Sequence, residues 1–367
     1  MQKRAFKMPR FSLDRTRCGN LAEQITAGLR TAIETGYYRA GDILPPVRDL
    51  AGILDVSKGV AEQAVSKIRE EGLISPRPAV GSVVCAKNRP RWKGVALIVY
   101  LGDAIRYEAM VAGEVRNMLS DAGYLALTSM IRNVSGDAPD FSLVEAQLCQ
   151  HVDVVVQVAG SPKLSAWLAA RGVPYVSYSR SEPPDGGNNV GFVRRRWNLV
   201  PDAFIARCRA RNVKSVLIIE AWANDDNAVN ILKRAAVTAR RWRLPRPKQG
   251  MDVRSLCEIA MNAFKKRFAS EGHAWLPDVL LFADDYLTTG ALQALLAEGV
   301  RIPEEVSVVT WSNRWEGPIY SKPFTRLEMD AVAHGRMIAD GVREYLANGM
   351  FPQNLETKPE YIQGETF

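Results

Sequence analysis

From Val95 onward the sequence repeats one pattern: a short run of β-branched and aliphatic residues, then a segment with apolar residues three and four apart, then another short run. Strand-length runs at 95–101, 124–129, 152–158 and 173–178 alternate with helical periodicity over 107–122, 142–150 and 162–171. A second series follows: a helix over 199–210, a strand at 215–220, helices over 228–242 and 253–269, a strand at 278–283, a helix over 288–296 and a strand at 306–311. Parallel neighbours need a crossover between them, and strands buried on both faces read as unbroken apolar runs, so this alternation predicts parallel sheets wrapped by helices. Two such series predict two lobes. At 367 residues the chain also exceeds one ordinary domain.

The first 93 residues follow another rule. Leu21, Ile25, Leu29 and Ile33 recur every fourth residue behind Asn20, a good N-cap, and the run stops at Gly36. Gly41 and Pro45-Pro46 break the chain before a short helix carrying Val47, Leu50, Ala51 and Leu54. A third helix starts at Ser57, shows Val60, Ala64, Val65 and Ile68 on one face, and stops at Gly72. Leu73-Ile74, a turn with Pro76, Pro78 and Gly81, and Val83-Val84 then predict a hairpin. Three helices and a hairpin make a winged helix-turn-helix. Charge agrees: up to Lys93 there are 17 Lys and Arg against 9 Asp and Glu, and beyond it 31 against 31. The whole net charge of +8 therefore sits in the first quarter, the footprint expected for phosphate contact, although a solvated tail at Lys3, Arg4, Lys7 and Arg10 supplies part of it.

Gly41-Asp42-Ile43-Leu44-Pro45-Pro46-Val47-Arg48-Asp49-Leu50-Ala51, Val56-Ser57-Lys58, Glu70-Glu71-Gly72-Leu73-Ile74 and Gly81-Ser82-Val83-Val84 stand in the order and spacing of the GntR family's DNA-binding domain, which residues 19–86 resemble. Beyond a linker at 87–93, nearly all of 94–367 resembles the sugar-sensing domain of LacI/GalR regulators. The likeness is carried by Ala122-Gly123-Tyr124, Val152-Asp153, Gly172-Val173-Pro174-Tyr175-Val176, Asp284-Asp285 with Gly290-Ala291, Gly299-Val300-Arg301-Ile302-Pro303 and Pro323-Phe324-Thr325. The combination resembles the arabinose-repressor subfamily of GntR proteins. It implies an α/β chain with a winged helix-turn-helix over 1–86 and a two-lobed periplasmic-binding-protein-like domain with parallel sheets over 94–367. In that fold the strand after Val306 and a closing helix over 331–346 return to the first lobe. The implied partners are a double-stranded DNA operator with an inverted repeat, a small effector, expected to be a sugar, and a second copy of the chain in a homodimer. A repressor without a cofactor is the implied activity.

In a helix-turn-helix the N-terminal part of the second motif helix enters the major groove. That part holds Ser57, Lys58, Gly59, Glu62 and Gln63, with Arg48 on the preceding helix and Arg77, Gly81 and Ser82 at the wing. Gln63 can pair with adenine and Glu62 can accept from cytosine. The alternative for Arg48 is a surface ion pair with Asp49 or Asp55. Against the family's pattern Gly59, Val60, Glu62 and Val80 remove positive charge, so the operator or the affinity is expected to differ from the family's norm. For the effector the resemblance points to Asp285 as acceptor of sugar hydroxyls, the alternative being a helix N-cap before Tyr286. Tyr107, Trp197, Trp222 and Trp311 fall near predicted strand ends, where aromatic faces stack on sugars, core packing being the alternative. The family's Asp-Asn pair aligns with Arg196-Trp197, and its missing cleft arginine is replaced by Lys233. Arg196 beside Arg194 and Arg195 suits an anionic effector, although three consecutive arginines cannot all point one way.

Other classes fit less well. The sequence has no phosphate-binding G-x-x-x-x-G-K-[ST] loop, no G-x-G-x-x-G, no G-x-S-x-G elbow and no zinc motif. The five cysteines, Cys18, Cys85, Cys149, Cys208 and Cys257, and the three histidines, His151, His273 and His334, are scattered without metal-ligand spacing, as in a reducing cytoplasm. The apolar runs have strand length and are too short to cross a membrane. A purely architectural DNA-binding protein, or a regulator whose sensor has lost its ligand, is the alternative class.

Overall fold

The structure, a computed structural model, describes residues 6–15, 20–78, 80–85, 92–101, 106–131, 139–183, 188–197, 199–221, 227–245 and 253–367. The chain divides into two compact units, one of residues 1–193 and 335–355 and the other of 194–334 and 356–367.

The first unit opens with helix α1 (Leu21–Glu34), whose N-terminus is closed by Asn20 accepting from the Ala22 amide at 2.9 Å. Helices α2 (Val47–Ile53) and α3 (Lys58–Glu70) follow, then strands β1 (Ile74–Arg77) and β2 (Gly81–Val84), paired antiparallel from Ile74↔Val84 to Arg77↔Gly81. Ile25, Leu29, Leu50, Ala61, Ala64, Ile68, Ile74 and Val84 close one core among the five elements. This is the expected winged helix-turn-helix, with Asn20 the predicted cap.

The same unit holds a six-stranded sheet. Its elements are β3 (Val95–Leu101), α4 (Arg106–Asp121), β4 (Leu125–Ile131), α5 (Ser142–Leu148), β5 (Val154–Val158), α6 (Pro162–Ala170), β6 (Tyr175–Ser179) and β7 (Asn189–Arg195). Strands β4, β3, β5 and β6 are parallel neighbours in that order. β5 is buried at every position, as a strand covered on both faces must be.

The second unit continues with α7 (Asp202–Ala210), β8 (Ser215–Glu220), α8 (Asn227–Arg234), β9 (Thr238–Arg243), α9 (Val253–Glu271), β10 (Val279–Phe282), α10 (Asp285–Ala297), β11 (Ser307–Asn313) and β12 (Thr325–Met329). Helix α11 (Ala331–Asn348), β13 (Leu355–Thr357) and β14 (Glu360–Ile362) complete the chain. The sheet orders are β13-β7-β6-β5-β3-β4 and β14-β12-β11-β10-β8-β9.

Three expectations change here. The helix expected over 228–242 is half helix and half strand: it stops at Arg234, Ala236 takes a left-handed φ of 61°, and β9 pairs parallel with β8 from Ser215↔Thr238 to Glu220↔Arg243. Ala and Arg favour helix, but buried Val237 and Ala239 alternate with exposed Thr238 and Arg240, and an available sheet edge overrides the propensity. The arginines on this edge strand also discourage pairing with another chain. Second, the strand after Val306 does not return to the first lobe: β11 pairs with β10 and β12 inside the second sheet. What returns is α11 from Gly335 onward together with residues up to Leu355. Gly335 lets α11 approach α4, for a Cβ there would stand 2.7 Å from that of Glu114, and Arg336 Nε donates to Glu114 Oε1 at 2.9 Å. Third, strands β7, β12, β13 and β14 were not foreseen.

Candidate functional site

On the winged helix-turn-helix the expected contact residues are all exposed except Ser82. Ser57 is the N-cap of α3, its hydroxyl accepting from the Val60 amide at 3.3 Å. Ala61, Ala64, Val65 and Ile68 form the buried stripe of α3, while Lys58, Gly59, Glu62 and Gln63 are exposed. At 3.6 residues per turn, Gly59, Gln63, Ser66 and Glu70 point directly away from that stripe, with Lys58 and Glu62 on one flank. A Cβ at Gly59 would meet nothing within 4 Å, so bare backbone faces outward at the start of α3.

Arg48 is exposed on α2. The ion pair considered for it is not formed among the described residues; Asp55 is instead taken by Arg15 at 2.9 Å. At the wing, Gly81 has a φ of 115°, a conformation suited to glycine, opposite exposed Arg77. Ser82 is half-buried, and its carbonyl accepts from the Leu44 amide at 2.9 Å. At the far end of α3, Glu71 binds Arg30, with Nε to Oε2 at 2.8 Å, and this hydrogen bond holds its carboxyl below the ordinary range.

The effector candidates are placed less uniformly. Tyr107, on the first turn of α4, is buried, and its hydroxyl lies 2.6 Å from that of Tyr178 at the end of β6. In the second unit the alternative considered for Asp285, a helix N-cap, is not what forms: Asp284 is the N-cap of α10, its Oδ1 accepting from the Tyr286 amide at 2.8 Å, and half-buried Asp285 is the first helical residue. Trp311 is a core residue, packed with Val309, Leu327 and Phe367, because strand alternation turns it onto the α7 side of its sheet. Arg196 pairs with Glu356 at 2.7 Å, and its amide donates to Thr357 O at 2.8 Å. That neighbour already offsets the charge proposed for an anionic effector. Trp197 is half-buried, and Lys233 is exposed in the last turn of α8. Trp222 lies outside the described residues.

Two polar groups at strand ends escaped the sequence reading. Gln157 interrupts the apolar run of β5 and is fully buried; its Oε1 accepts from Ser165 Oγ at 3.3 Å. The register Ser129↔Val99↔Gln157↔Ser177 puts these residues in one row across four strands. A polar residue inside a valine run was the available signal, since burying an amide is costly without a partner. In the second unit Glu220, 2% exposed at the end of β8, lies 3.0 Å from Arg241 and 3.3 Å from Arg243, both on the unforeseen strand β9. In parallel α/β sheets the carboxyl ends of strands are where ligands bind.

Fold and surface together define a winged helix-turn-helix joined to a body of two parallel-sheet units. Residues 21–84 match the bacterial regulatory proteins of the gntR family, and residues 206–367 match the periplasmic binding protein-like domain. The Exu regulon transcriptional regulator of Escherichia coli (strain K12) is 36% identical over 76 residues, which are 21% of this chain and 29% of that protein. An HTH-type transcriptional regulator of Mycobacterium tuberculosis is 39% identical over 62 residues, 17% of this chain and 26% of that protein. The matches thus span less than a third of the length of these curated relatives. Among solved structures, a LacI family transcriptional regulator from Arthrobacter sp. FB24 in complex with lactose has a TM-score of 0.58 at 16% identity, covering 74% of this chain and 99% of that one. The Lac repressor bound to ONPG has a TM-score of 0.59 at 14% identity, covering 85% and 92%. The chain therefore combines a GntR-type helix-turn-helix domain with a periplasmic-binding-protein-like domain of the fold found in LacI-family regulators.

Proposed function

We propose that this chain is a one-component transcription regulator, most simply a repressor, acting in the cytoplasm on double-stranded operator DNA. The domain limits are those of the sequence reading, 1–86 for the DNA reader and 94–367 for the sensor. The observation that carries the proposal is the set Arg48, Ser57, Lys58, Gly59, Glu62 and Gln63, exposed together on α2 and α3 of a GntR-type domain, with Arg77, Gly81 and Ser82 on the hairpin. One recognition helix reads a half-site, so two copies of the chain on an inverted repeat supply the specificity. The outward Gly59, Glu62 and Glu70 favour an operator preference of its own, with fewer phosphate contacts from α3.

The periplasmic-binding-protein-like domain takes a small effector, a sugar or sugar derivative. Asp285, Trp197, Arg196 and Lys233 are its candidate ligands, with Tyr107 acting through its bond to Tyr178. The domain combination of the arabinose-repressor subfamily, and the lactose named with one structural neighbour, support a sugar. This reading gives the chain no catalysis and no cofactor. The test is binding of the full chain to oligonucleotides selected from a random pool, with a thermal-shift screen of neutral and acidic sugars, since a ligand of the native state raises stability. Selected inverted repeats that a sugar releases are the expected result. No sequence preference, or a preference that no small molecule alters, would favour an architectural protein or a sensor without a ligand.

A further inference from the structure

Residues 6–15 run between the winged helix-turn-helix and the first sheet and bond to both. Toward the DNA-binding domain, Lys7 Nζ donates to Asp42 Oδ2 at 2.6 Å and to Tyr37 O at 3.0 Å, and Tyr38 Oη donates to Lys7 O at 3.0 Å. Phe11 covers Gly28 of α1, where a Cβ would stand 2.7 Å from its ring. Asp14 and Gln24 exchange two hydrogen bonds of 2.9 Å. Toward the sheet, the Ser12 amide donates to Leu148 O at 3.2 Å, at the end of α5.

His151 stands where the three parts meet, and it is 0% exposed. Its Nδ1 is 3.3 Å from Arg10 O on the segment, and its Nε2 is 2.8 Å from Asp153 Oδ1. The other oxygen of Asp153 accepts from the amide of Val95, the first residue of β3, at 2.8 Å. The imidazole ring lies 4.8 Å from the ring of Tyr37, just beyond α1 and Gly36, and the Arg10 guanidinium is 5.2 Å from that same Tyr37 ring. Tyr345 on α11 feels the charges of Arg10 and Asp153. A continuous set of contacts thus leads from the first strand of the sheet through Asp153 and His151 to the turn after α1.

We propose that residues 6–15 are a docking strap, pinned by His151, that holds the DNA-binding domain in one orientation on the first sheet, so that this sheet sets where α3 is presented. The basic residues Lys7 and Arg10 serve this docking through Asp42 and Tyr37 and do not contact phosphates. The chain joins the DNA-binding domain to the sheet covalently at one place, between β2 and β3; the strap and His151 add a non-covalent attachment at a second place, and two attachments fix an orientation. The role in presenting α3 rests on the reading of the chain as a DNA-binding regulator, whereas the docking itself does not.

The test is hydrogen exchange by mass spectrometry on the full chain, compared with His151→Ala and with Tyr37→Leu. In the wild type the amides of 7–14 should be protected, and in both variants they should exchange at least about tenfold faster while the cores around Leu29 and Val155 stay protected, as for local opening. Equal exchange of the segment in wild type and variants overturns the docking. If His151→Ala also opens the cores, Tyr37→Leu decides alone. The variants are then bound to a selected inverted repeat and to its single half-site. Fixed presentation predicts that the full repeat loses affinity about tenfold while the half-site is unaffected, since preorganisation matters when both readers must engage. Loss of docking with no change on the full repeat overturns the role in presenting α3. Absence of any DNA binding by the wild type refutes the regulator reading, and the exchange data still decide the docking.

Discussion

Protonation of His334 should make the fold acid-sensitive in a window set by one buried imidazole. The residue lies in the first turn of α11 and is 8% exposed. Burial pushes its pKa down to about 4; the carboxylate of Asp330 opposes this and the charge of Arg195 adds to it. The unfolded value is 6.5. Between these two values the unfolded chain takes up a proton that the folded chain refuses, so stability falls as pH drops through that window and is untouched above it. At 1.36 kcal/mol per pKa unit the full effect is about 3 kcal/mol, of which about 2 to 3 kcal/mol is already lost near pH 4.5. Carboxylates titrate at the lower end as well, so the quantity to measure is the difference between wild type and His334→Gln, which keeps a neutral polar side chain there. Urea unfolding followed by tryptophan fluorescence at about pH 7.5 and about pH 4.5 should show the variant losing about 2 kcal/mol less than the wild type. Parallel losses in the two proteins would refute the assignment of a buried neutral imidazole.

Other outcomes follow from the same geometry. A Cβ at Gly290 would stand 2.0 Å from the Cys257 carbonyl oxygen, so Gly290→Ala must push α10 from α9 and should destabilise by about 2 kcal/mol or more in thermal unfolding. Gly113→Ala on α4, with nothing within 4 Å, should stabilise by up to about 1 kcal/mol; equal effects at the two sites would show that close approach is not what Gly290 provides. Lys58→Ala and Arg48→Ala should each weaken binding to all operator sequences and reduce the salt-dependence slope by about 0.9, measured by fluorescence anisotropy across salt concentrations. Glu62→Arg should change the base preferred in a selected-operator assay; unaltered affinity and preference would mean that Glu62 does not face the groove.

Much of this architecture is written locally. Cap and periodicity place α1, because Asn20 and residues four apart act within a single turn of chain. The valine-rich runs at 95 and 154 place β3 and β5, because strands buried on both faces tolerate little else. The exposure of Lys58 and Gln63 could be read from spacing, since their neighbours in the sequence define the buried stripe, whereas Arg48 was singled out by the resemblance to the GntR domain. What the sequence left open depended on partners distant along the chain. Residues 238–243 form a strand only because β8 offers an edge, and Trp311 is core only because its register turns it onto Leu327 and Phe367. Asp284 rather than Asp285 caps α10 because its extended backbone, with φ of −162°, directs the carboxylate at the first turn. The Gln157 row needs four aligned strands, and the His151 contacts join residues more than a hundred positions apart. Periodicity records which face of an element is buried; which element buries it is decided by the closed tertiary structure, where backbone hydrogen bonds and apolar faces must all find partners at once.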